Sequence, residues 1–88
     1  MKADQTNVDE ALALGALGWT LSDDARAQRL IALTGLTPAG MREQLEDRAF
    51  LAEVLRFLEG HEPDLVACAA ALDVSPARLV AARETLER

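Results

Sequence analysis

An 88-residue chain has room for one domain and one core. Half of its residues are hydrophobic but only 3 % are aromatic, an alanine- and leucine-dominated mixture that favours helices and leaves no sheet to be expected. The formal charge of −6 is spread along the chain, with one basic against three acidic groups in residues 1–22, five against seven in 23–60 and three against five in 61–88, so no segment carries the positive field that makes nucleic acid or an anionic membrane a default partner.

The first helix is expected to start near Thr6 or Asn7, either of which can cap it with Asp9 or Glu10 three residues on, leaving residues 1–6 frayed. Val8, Ala11, Leu12, Leu14, Leu17, Trp19 and Leu21 cover more than half of its circumference, which predicts a central helix gripped from two sides. Gly15 and Gly18 weaken it, and their expected use is the close approach of a neighbouring helix. Trp19 reads first as a core or rim anchor and second as a hot spot for a partner.

Ser22-Asp23-Asp24 breaks the chain and supplies a cap and two carboxylates for the positive end of a second helix. That helix spaces Ala27, Leu30, Ile31 and Thr34 at i, i+3, i+4, i+7 and stops at Gly35. Gly35 suits the left-handed conformation that closes a helix, Leu36 covers the end, and Thr37-Pro38 starts the next helix. The third helix, Pro38 to about Glu46, has Met41 and Leu45 as its inward pair and a solvated face of mixed charge. Asp47 then caps a fourth helix, whose Phe50, Val54, Phe57 and Leu58, flanked by Leu51 and Leu55, form the strongest amphipathic stripe in the chain.

Gly60-His61-Glu62-Pro63 is the next corner. His61, Glu62 and Asp64 are too close in sequence to converge on one metal ion in good geometry, and His61 is expected beside the end of the fourth helix. The fifth helix, Pro63 to Leu72, is rich in alanine and predicted to lie in the middle of the bundle, with Cys68 as a small buried hydrophobe. As the lone cysteine it can close no internal disulfide, and the only histidine is too far along the helix to activate it. Ser75-Pro76 repeats the Thr37-Pro38 start and opens the last helix.

Ala69, Leu72, Val74, Leu79 and Ala82 match the apolar skeleton of a helix-turn-helix. Its second helix would lead with Ser75, Pro76, Ala77, Val80 and Ala81, which offer almost nothing to base edges, and only Arg78 and Arg83 are available for phosphates. The corner is therefore read as architectural.

Leu33-Thr34-Gly35-Leu36 with Pro38, the run Phe50-Leu51-Ala52-Glu53-Val54-Leu55-Arg56-Phe57-Leu58, Glu62 with Leu65 and Ala69-Ala70, and Pro76 before Ala81-Ala82-Arg83 occur here in an order that resembles the domain of unknown function 3572 family. The resemblance covers residues 8–88. It implies an all-helical bacterial cytoplasmic protein and brings no catalytic residue with it.

The expectation is an all-α, compact orthogonal bundle of five or six short helices in a single domain, with the first and fourth helices supplying most of the core. No apolar run reaches the about 18–20 residues of a membrane span, and no charged-then-apolar signal segment opens the chain, so it is expected in the cytoplasm. With one histidine, one cysteine and no compact cluster of ionisable groups, no catalytic, metal or cofactor site is expected. The function read by elimination is a non-catalytic interaction or regulatory module, monomeric or homodimeric. Its candidate surface is Trp19, Phe50 and Phe57, rimmed by Asp23, Asp24, Glu43 and Glu46. The alternative is a helix-turn-helix-like nucleic-acid binder using Arg78 and Arg83.

Overall fold

The computed structural model describes residues 2–88, with side chains from Thr6 onward, and Met1 lies outside it. Six helices follow one another: α1 (Lys2–Leu21), α2 (Asp24–Thr34), α3 (Pro38–Glu43), α4 (Arg48–Glu59), α5 (Glu62–Ala71) and α6 (Pro76–Leu86). No strand occurs among the described residues.

The corners follow local chemistry. Asp23, Thr37, Asp47 and Ser75 each sit in extended backbone at a helix start, and each accepts a backbone N–H from the first turn behind it. Gly35 takes φ 71° and returns its N–H to the Ile31 carbonyl at 2.7 Å, with Leu36 packed on the core. The α5–α6 corner reaches the same end without glycine. Asp73 takes φ 60°, its N–H reaches the Ala70 carbonyl at 3.1 Å, and the Val74 N–H reaches the Ala69 carbonyl at 2.9 Å, a Schellman closure. This turn bends the chain by 97° between α5 and α6.

α4 is the core helix, burying Phe50, Leu51, Ala52, Val54, Leu55 and Leu58. It packs chiefly on α6 and α1, which also pack on each other. α6, with Leu79, Ala82 and Leu86, contributes as much to the core as α1, with Ala13, Ala16 and Leu17.

Four expectations are corrected. α1 starts at Lys2, so Thr6 and Asn7 lie inside the helix rather than at its cap. It is gripped from one side only: Asp9, Ala13, Ala16, Leu17 and Thr20 are buried while Val8, Leu14 and Leu21 are exposed. The buried stripe is made mostly of small residues, and α6 and α4 are its main neighbours. α3 ends at Glu43, not Glu46. α5 is peripheral, burying only Cys68 and Ala69 and exposing Val66, Ala67, Ala70 and Ala71.

Candidate functional site

α2, α4 and the start of α5 enclose an open cleft of about 530 Å3. Arg29 and Leu33, one turn apart on α2, form one wall, and Glu53, Arg56 and Phe57 of α4 form the other. His61 and Asp64 close the end. Leu33 is 61 % exposed, the most exposed of the large hydrophobic side chains in the described residues, and Phe57 on the opposite wall is half-buried against the core.

The cleft's charges are mostly spoken for. Asp64 accepts from Arg29 at 2.8 Å and faces the His61 Nδ1 at 2.9 Å, tying α2 to α5. His61 occupies the N-cap position of α5 without a side-chain capping bond, and its N–H reaches the Leu58 carbonyl at the end of α4. Arg56 pairs with Glu87, the residue that caps the end of α6. Glu53 has no ion-pair partner among the described residues.

The predicted surface residues do not gather in one place. Phe57 lines the cleft. Phe50 is only 5 % exposed and belongs to the core, because it shares a face of α4 with Val54 and Leu58; it is corrected from surface to core. Trp19 is half-buried at the α1–α2 corner, where the Arg26 guanidinium lies over its ring at 3.6 Å and also donates to the Trp19 carbonyl. Asp23 joins it there, capping α2 through the Arg26 N–H. Asp24, Glu43 and Glu46 are exposed and line none of this cleft.

Arg78 and Arg83 are both held within the fold. Arg78 reaches the fully buried Asp9 of α1 at 2.7 Å. Arg83 lies between Glu59 at 2.5 Å and Glu87 at 2.8 Å, and these hydrogen bonds keep its guanidinium protonated beyond its ordinary range. The bend of 97° suits a helix-turn-helix, but α6 turns Leu79, Ala82 and Leu86 into the core and leaves Ala77, Ala81, Glu84 and Glu87 outward.

Burial pushes the Cys68 thiol up to about 11, so it carries no thiolate at neutral pH. Among the described residues there is no group of three side chains able to hold a metal ion, and no single helix is long and apolar enough to cross a membrane. In the sequence Asp64 is weighed only as a metal ligand and Leu33 only as part of a corner, and neither of them, nor Arg29, is assigned to a docking surface. The available signal was Leu33 itself, an apolar residue lying off the inward stripe of α2 and one turn from Arg29.

The model of a family described as Protein of unknown function (DUF3572) matches residues 6–88, in line with the resemblance carried by the Leu33–Leu36 corner and the Phe50–Leu58 run. No curated protein and no solved structure matches the chain.

Proposed function

We propose that this chain, which belongs to the DUF3572 family over nearly its whole length, is a non-catalytic interaction module whose docking surface is the cleft between α2, α4 and α5. The observation that carries the reading is a cleft with the exposed Leu33 on one wall and Phe57 on the other. An apolar side chain held in water on a helix, across a cleft from an aromatic ring, is what a partner's apolar residue fits. Because Arg29 and Arg56 already have partners and Glu53 has none, the charge left for a ligand is negative. The partner is therefore an amphipathic segment with a bulky apolar side chain flanked by Lys or Arg. Engagement of Arg78 and Arg83 by Asp9, Glu59 and Glu87 weighs against nucleic acid as the ligand.

The test is affinity capture from native cell extract with the tagged wild type and with Leu33→Asp, each with and without nuclease. A protein retained by the wild type through nuclease, and lost by a Leu33→Asp variant of unchanged helical circular dichroism, is the expected result. The same proteins on both variants, or retention of nucleic acid alone, would sink it.

A further inference from the structure

The side of α1 turned away from the core carries Asn7, Ala11, Leu14, Gly18 and Leu21, all of them exposed. Their steps of four and three alternate as in a coiled-coil seam. At about 100° per residue they lie roughly opposite the buried stripe Asp9, Ala13, Ala16 and Thr20. Leu14 and Leu21 are 39 % and 40 % exposed. Gly15 has a neighbour to accommodate, since a Cβ there would stand 3.1 Å from Leu72 Cδ2, whereas a Cβ on Gly18 would meet nothing within 4 Å. Gly18 therefore weakens α1 without admitting anything inside this chain. α3 and the turn behind it add Pro38, Met41, Arg42 and Leu45 to this side, making a cleft of about 330 Å3 with Leu14, Gly18 and Leu21.

We propose that this face is the interface of a symmetric dimer in which the α1 helices of two copies pack antiparallel. The argument is self-complementarity. In the antiparallel register Leu14 faces the second copy's Gly18, and Leu21 faces its Ala11, so every leucine enters the space left by a small residue, and the two-fold axis makes each contact twice. A parallel pair in register would set leucine on leucine and glycine on glycine. Charge agrees with the antiparallel choice. Arg42 lies beside Gly18 and Leu21 and has no ion pair among the described residues. The antiparallel partner brings its Glu10, next to Ala11, to that end and to the same side of the helix pair. The face is separate from the Leu33 cleft, and the proposal does not depend on the function assigned there.

Sedimentation equilibrium of the full chain tests it, with Leu14→Asp, Leu21→Asp and Gly18→Leu as variants. The wild type is expected at the mass of two chains, and each variant at half that mass with unchanged helical circular dichroism. Orientation is read separately by mild oxidation of Leu14→Cys and Gly18→Cys, since Cys68 is buried and does not compete. The mixture should cross-link the two variants to one another, and each alone should cross-link poorly. A wild type that sediments as one chain through the high-micromolar range, a dimer that survives all three substitutions, or cross-linking of Leu14→Cys mainly to itself would each overturn the proposal.

Discussion

Asp9 lies on the buried face of α1, and its carboxylate meets Arg78 from the first turn of α6. Removing one partner of such a pair strands the other, and because Arg78 keeps 29 % of its side chain in water, Asp9→Ala should cost about 2 kcal/mol rather than the larger loss of a wholly buried pair. Replacing both groups by apolar ones, as in Asp9→Leu with Arg78→Met, should return stability to within about 1 kcal/mol of wild type. Urea unfolding of the wild type and the two variants checks both statements. The pairing was not legible in the chain. Thr6 three residues before Asp9 has the pattern of a capping box, and only the far end of the sequence supplies the arginine that gives Asp9 another use.

Helix α1 shows where periodicity stops being informative. Its apolar residues cover so much of the circumference that they do not select an inward face. That choice falls to tertiary packing, which buries Ala13, Ala16 and Leu17 and leaves Leu14 and Leu21 outside. The corners behave in the opposite way. Thr37, Asp47 and Ser75 were each legible as caps because capping needs only a side-chain oxygen and the next turn of backbone, whereas in Ser22-Asp23-Asp24 the cap is Asp23 and not the hydroxyl of Ser22, which donates to the Trp19 carbonyl instead. α4 was legible for a related reason, since its stripe is narrow enough to point in one direction. The two glycines of α1 give a paired prediction in dilute protein. Gly18→Ala should raise the unfolding free energy by up to about 1 kcal/mol, whereas Gly15→Ala should gain less, because Leu72 Cδ2 at 3.1 Å has to move. Parallel urea titrations separate the two.

Across the whole molecule, ion pairs join helices far apart in sequence. Arg56 of α4, Glu87, Arg83 of α6 and Glu59 form a chain of alternating charge over the α4–α6 contact. The hydrogen bond from Arg56 holds the Glu87 carboxyl below its ordinary range; desolvation opposes it, and a further hydrogen bond from Arg83 adds to the lowering. A carboxyl depressed in the folded state contributes stability above its unfolded value and loses it as the pH falls through the folded value. Glu87→Gln should therefore leave the acid limb of a plot of melting temperature against pH shallower below about pH 4.5, with circular dichroism as the readout. The Cα trace is a slab of 36 × 27 × 17 Å, thin enough that a helix such as α1 is covered on one side only. Composition made the all-helical class legible, but thickness depends on how six helices are stacked, and no local pattern records that.

Cys68 gives this molecule a clock. The thiol is wholly enclosed, and α5, the helix that carries it, buries little else besides Ala69. A thiol reagent can reach it only when α5 lifts from its neighbours, so the rate of labelling under native conditions counts those openings. With a single cysteine in the chain, every modified molecule reports the same event, and the dependence of that rate on urea distinguishes a local departure of α5 from unfolding of the whole.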